Sequence, residues 1–222
     1  ISQGLESILG ALDLTGSYDK QRTITIGCTP SVGVQVMPAI FQAMKSHVPQ
    51  LLLHNVPLNE PEIQLAQFQT DVVIDISHFS ARALGQHVLY ADSLVLVCRQ
   101  NHPALSEPLT IENLRNYDHS SFITEGQALN SLRQRIDEIF PERQISFSSY
   151  NMFTTASLIG SSDMLCIMPS RLYHLLRKCW PLEEIPLSQL NAESIEISLH
   201  YNKLSLRDPV LENVINIICQ AF

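Results

Sequence analysis

The chain is poor in the features by which catalysts and nucleic-acid binders are recognised. Only 16% of its 222 residues are charged, and 14 Lys and Arg stand against 22 Asp and Glu, a formal −8 at pH 7. No basic run follows any predicted helix, so the electrostatic footprint of a DNA-binding surface is missing. No apolar run approaches the ~20 residues that span a bilayer. The opening ISQGLESILGAL has no basic segment before its apolar residues, so no secretory signal is expected. There is no Gly-x-Ser-x-Gly, no His-Glu-x-x-His, no Gly-rich phosphate loop and no repeated carboxylate pair. The eight histidines are scattered, not set at metal-ligand spacings. The five cysteines, Cys28, Cys98, Cys166, Cys179 and Cys219, are odd in number and form no Cys-x-x-Cys. Three of them sit in or beside apolar runs and read as reduced, buried thiols of a cytoplasmic protein; a redox switch is the alternative. These absences argue against an enzyme, a metal centre and a cofactor.

What is present is a globular composition, 45% apolar, and one informative stretch, Thr23–Pro38. Thr23 to Gly27 alternate and are rich in β-branched residues, as a strand requires. A tight Gly-Cys-Thr-Pro-Ser turn follows. Val32, Val36, Met37, Ile40, Phe41 and Met44 then recur at helical spacing, with Ser31 placed as the N-cap of a helix over about 33–47. A strand feeding a helix through a short polar turn leaves free N–H groups and a positive dipole end at the strand's carboxyl edge. In an open α/β sheet, ligands bind there.

Strands and helices alternate through the rest. Strands are expected at 51–56, 71–76, 93–99, 119–124, 144–148, 164–168 and 195–201. Helices are expected at 62–69, 110–116, 129–140, 151–160, 170–178 and 209–221, after a short amphipathic helix at 2–14. Such alternation implies parallel strands with helices on both faces. The strand-helix-strand unit occurs twice, around 23–76 and 119–168. Two α/β lobes joined by the long strands near 93–99 and 195–201 account for this, and a two-lobed, hinged protein places its ligand between the lobes.

In order along the chain, several segments resemble the effector-binding domain of LysR-type transcriptional regulators. They are Ile24–Pro38, His47-Val-Pro49, Val72–Asp75, Leu94–Val97 with Asn101-His102-Pro103, Ala156–Gly160 with Met164–Pro169, and the helix opening at Asp208-Pro209. The strand 71–76 with Ser77-His78 is most similar to the branch of nodulation and leucine-operon regulators. The resemblance implies a two-lobed, periplasmic-binding-protein-like fold with mixed sheets. Lobe I would comprise 21–98 plus 202–222 and lobe II 99–201, and residues 1–20 would end a linker helix. It implies a small-molecule effector, a homodimer or tetramer, and DNA binding only through a winged helix-turn-helix domain that this chain lacks. The first residue is Ile, so the chain is read as a fragment or processed form. A solute-binding protein of a transport system, which shares the fold, is the alternative.

The candidate effector contacts follow from the strand ends. Thr29 and Ser31 stand at the helix N-terminus, where the other reading is a plain cap. Asp75, Ser77 and His78 stand at the carboxyl edge of a buried strand. Thr124 faces the same cleft in the family pattern. Met152, Phe153 and Thr154 open a helix that could floor the pocket, and His200 lies on the returning strand. The arginine with which some members hold a carboxylate after the third strand is missing near Asp75–His78, which argues against an acidic aromatic effector. Val34, Ala39, Phe41, Ile215 and Phe222 read as surplus apolar surface for a two-fold interface.

Overall fold

The computed structural model describes the backbone of residues 22–76, 78–122 and 127–222, and the side chains of these except 127–131 and 191. The linker helix expected at 2–14, Ser77 and Thr124 lie outside the described residues. The chain runs β1 (Thr23–Cys28), α1 (Pro30–His47), β2 (Leu52–Val56), α2 (Pro61–Ala66), β3 (Val72–Asp75) and β4 (Leu84–Arg99). Next come α3 (Ile111–Leu114), β5 (His119–Phe122), α4 (Gln127–Ile139), β6 (Ile145–Ser149), α5 (Met152–Ile159), β7 (Leu165–Pro169) and α6 (Ser170–Leu176). Finally come β8 (Leu182–Ile185), α7 (Ser188–Asn191), β9 (Ser194–Asn202) and α8 (Pro209–Gln220).

The strand order is β2-β1-β3-β9-β4-β7-β5-β6, with β8 paired to β4. β1 is parallel to β2 and β3, and β5 is parallel to β6 and β7. β9 runs antiparallel to both β3 and β4, and β7 and β8 run antiparallel to β4. The sheets are therefore mixed, as the family resemblance implies and as simple βα alternation does not. β4 and β9 are the crossing strands. Side chains pass from one core to the next between Leu94 and Val95. Leu89, Tyr90 and Leu94 join the core beneath α1 and α8, whereas Val95 and Val97 join that beneath α5 and α6.

Two expectations need correction. Helix α1 starts at Pro30, with Pro at its first position, where the ring's fixed φ suits the first turn. Thr29 is the N-cap and Ser31 lies inside the first turn; Pro30, counted as part of the turn, begins the helix. β4 starts at Leu84, nine residues before the apolar run that announces it. Its first half is masked by exposed Gln86, His87 and Val88. A bulge lies there too: the register with β9 shifts between Val88 and Tyr90. Leu89 and Tyr90 are both buried while Val88 is exposed, so the alternation changes phase. β8 and α7 carry too short a signal to stand out in the sequence.

The Asn101-His102-Pro103 segment proves to be a structural clamp. His102 is buried, its Nε2 donates to the Asp163 carbonyl at 3.0 Å, and its Nδ1 accepts from Ala104 N–H at 3.0 Å. Arg99 adds an ion pair to Asp163 at 2.7 Å. Together they tie the end of β4 to the Ser161-Ser162-Asp163 turn.

Gly85 faces Tyr201 across the β4–β9 pair, and a Cβ there would stand 2.5 Å from the tyrosine ring. Gly85→Ala is expected to destabilise the fold by about 1–3 kcal/mol, the range for overpacking. In a Tyr201→Ala background the same change should cost far less, which urea unfolding of the double-mutant cycle would measure.

Candidate functional site

A cavity of about 140 Å³ lies between the two cores. Its lobe I wall is built by Thr29, Ser31, Val32 and Gln35 at the start of α1 and by Asp75 and Ile76 at the end of β3. Leu94, Ile195 and Ile197 of the crossing strands form its floor. Lobe II supplies Ser120, Ser121 and Phe122 from β5, Leu132, Arg133 and Ile136 from α4, Arg143, Met152, and Ile167, Met168, Pro169 and Leu172 at the β7–α6 junction. Leu132 and Ile136 pack against the lobe I core, so α4 covers the cleft.

The polar groups of this wall are held by local structure. Thr29 Oγ1 and Ser31 Oγ share a hydrogen bond of 3.2 Å. No side chain caps α1 and no acid stands in its first turn, which lines the cavity through Ser31 and Val32. Gln35 Nε2 donates to the Ser31 carbonyl at 2.8 Å, and Tyr90 Oη donates to Gln35 at 3.4 Å. Tyr90 in turn lies under the Arg171 guanidinium, 3.9 Å from the ring centroid. Asp92, buried, accepts from Arg171 N–H at 3.0 Å. The cleft edge is thus tied from α1 through β4 to α6.

On the far wall Arg133 donates to the Phe122 carbonyl at 2.8 Å. Arg143 donates through Nη2 to Asp137 at 2.8 Å. Its side chain is only 7% exposed, and its Nε is buried without an acceptor among the described residues. Behind it lies the His119 ring, fully buried, with Nε2 bonded to the Leu114 carbonyl at 3.0 Å. Burial pushes this ring's pKa down to about 4, and the nearby Arg143 charge acts in the same direction. The ring is therefore uncharged at neutral pH. Cys166, beside Ser120, is pushed up to about 11 by burial, and Cys28 likewise. Neither is a reactive thiolate.

Of the residues singled out in the sequence, Thr29, Ser31, Asp75 and Met152 line one cavity. His78 is exposed and bonds Gln86 Nε2 at 3.0 Å. His200 is buried in the sheet with its ring 4.3 Å from Phe79. Phe153 packs toward Trp180, and Thr154 faces solvent. These four stand away from the cavity wall. Gln35, Ser120, Arg133 and Arg143 were missed. Ser120 and Arg143 carry no local signal, because only the folding of β5 and β6 side by side brings them to the cleft.

The depressed His119 pKa has a consequence for acid stability. The unfolded ring takes up a proton near its ordinary value of 6.5, the folded ring only near 4. Stability therefore falls as pH drops through that window, by about 3 kcal/mol in all at ~1.36 kcal/mol per unit. Asp71 and Asp92, raised by burial, tilt the other way. Chemical denaturation from pH 7 to pH 4 should show a shallower loss for His119→Phe than for the parent chain.

The family model described as the LysR substrate binding domain matches residues 19–222. The uncharacterized HTH-type transcriptional regulator YbeF of Escherichia coli (strain K12) is 55% identical over 222 residues, which is 100% of this chain and 70% of that protein. The HTH-type transcriptional regulator SyrM of Rhizobium meliloti (strain 1021) is 25% identical over 217 residues, 94% of this chain and 66% of that protein. The chain thus spans about two thirds of the length of these relatives. In fold it is similar to the regulatory domain of MexT, a transcriptional activator in Pseudomonas aeruginosa, with a TM-score of 0.76 at 12% identity, covering 91% of this chain and 99% of that one.

Proposed function

The chain belongs to the LysR substrate binding domain family, the effector-binding part of LysR-type transcriptional regulators, and on that premise we propose that it senses a small molecule in the cavity beneath α4. The observation that carries this reading is the cavity itself: mostly apolar walls, a few convergent polar groups, and contributions from both lobes. An occupant touching α1 and α4 together favours one arrangement of the lobes, and that preference can bias an attached DNA reader. DNA would be contacted through a helix-turn-helix domain outside this chain, as the acidic balance of this part requires. The same reading makes the whole protein a cytoplasmic regulator without catalytic activity. No helix among the described residues is long and apolar enough to cross a membrane. A solute-binding role on the same fold has no observation in its favour.

A thermal-shift screen of small metabolites on this chain tests the cleft. An occupant at ~100 times its Kd adds about 2.7 kcal/mol. Ser31→Trp, which fills the cavity mouth, should abolish that gain while leaving the ligand-free unfolding midpoint within a few degrees. An undiminished gain in the variant would move the sensing site elsewhere.

Assembly is a second element of the reading. Phe41 on α1 is 52% exposed, with Lys45 Nζ 5.6 Å above its ring, and Phe222 is exposed nearby in sequence to α8. Ile215, expected at an interface, is buried in the core beneath α8, and Val34 packs against lobe II. The interface would be a homodimer's, extended to a tetramer in the longer protein. Sedimentation at about 50 µM, well above a ~1 µM Kd, should show dimers, and Phe41→Asp should return the chain to monomers.

A further inference from the structure

We propose that the ligand of this cleft is a small carboxylate with a compact apolar body, and that its carboxyl group takes the Arg143 guanidinium from Asp137. The inference rests on the cleft being the sensing site and names the chemistry that site selects.

Arg143 is the anomaly. A guanidinium offers five N–H donors in a rigid fork, and its burial is unfavourable unless those donors and its charge are matched. The Arg143 side chain is 7% exposed and lines the cavity, yet its buried Nε has no acceptor among the described residues. Its charge partner, Asp137, is 58% exposed and reaches in from the surface to one Nη. His119 behind it is an uncharged ring and adds no balancing charge. Such a pair is incomplete. A carboxylate inside the cavity could take Nε and Nη2 side by side, the two-pronged geometry that guanidinium and carboxylate share. Asp137 would then turn to water at small cost, because it is largely hydrated already.

The rest of the wall favours the same sign. Arg133 also lines the cavity, and the first turn of α1 contains no acidic residue. Among the described residues Asp75 is the one carboxylate lining the cavity, on the lobe I wall. Like charges repel, so the ligand's carboxyl group belongs at the lobe II end and its apolar part against Val32, Leu94 and Ile167. The volume sets the size: about 140 Å³ is close to the ~150 Å³ apolar cavity that accommodates benzene. The missing arginine after β3 is thus replaced, in function, by one from the turn between α4 and β6.

Benzoate and 3-methylbutanoate, each against its uncharged amide, test this on the 222-residue chain by calorimetry and by backbone resonance shifts at Val32 and Ile167. The acids should bind at least about tenfold more tightly than the amides. Arg143→Gln should remove that preference. Asp137→Asn, used on protein whose circular dichroism and cooperative unfolding show it folded, should tighten acid binding several-fold by removing the internal competitor. Equal binding of acids and amides, or an unchanged or weaker affinity in Asp137→Asn, overturns the proposal. Amides that bind alone and shift the same resonances overturn it too, but leave the cleft standing as the sensing site. If neither kind of probe binds, the carboxylate assignment falls. The cleft reading would then fall separately, only if no stabilising compound from the metabolite screen shifts Val32 or Ile167.

Discussion

From Leu84↔Asn202 to Ser93↔Ser194, β4 and β9 hydrogen-bond along their length, and both lobes hang from that ladder. β9 offers its other edge to β3, so the lobe I sheet is closed around the crossing. β4 continues past the ladder and receives β7 on one edge and β8 on the other. Every strand that ends at the cavity is therefore placed, directly or at one remove, by these two strands. The cavity floor, Leu94 with Ile195 and Ile197, is made from the ladder itself.

The order of elements was largely legible because most strands here are short, apolar and bounded by Pro, Gly or Asn, and because buried positions in α1 and α8 recur at helical spacing. Ser31 was misplaced as a cap for a physical reason. Pro30 can begin a helix as readily as it can end a turn, and one serine cannot tell the two apart. The lobe I wall was readable from Thr29 and Asp75, since both stand at strand ends. The lobe II wall was not. Arg143 follows Pro141 and Glu142 in a polar stretch that reads as solvated surface, and its burial depends on β5, β6 and α4 meeting. Ser120 sits in a strand too short to reveal which of its faces is inward. His200, by contrast, drew attention because it lies on the returning strand, yet its neighbours are a strand on either side and Phe79.

The two walls differ in how well their polar groups are satisfied. At the α1 edge the hydroxyls, Gln35 and Tyr90 complete one another's hydrogen bonds, and Arg171 and Asp92 extend the chain of contacts. At the α4 edge Arg143 Nε and His119 Nδ1 are buried without partners among the described residues. Departures from full satisfaction concentrate where a protein trades stability for function. The imbalance leaves the α4 edge of the cleft as the side with hydrogen bonds to gain.

The bulge between Val88 and Tyr90 has a consequence for inheritance as well as for shape. Along an unbroken strand, the loss or gain of one residue turns every later side chain to the opposite face. Here one slip is already built in, at Leu89, and β9 tolerates it. The crossing strand therefore carries a single site at which its length can change by one residue with the error confined to the lobe I half. Beyond Tyr90 the parity of the strand is locked, because Leu94 must face the cavity and Leu96 and Cys98 the cluster they form with Leu114, Phe140 and Ile185. Drift in this part of the gene is thus channelled: substitutions can accumulate along β4, but insertions and deletions have one door.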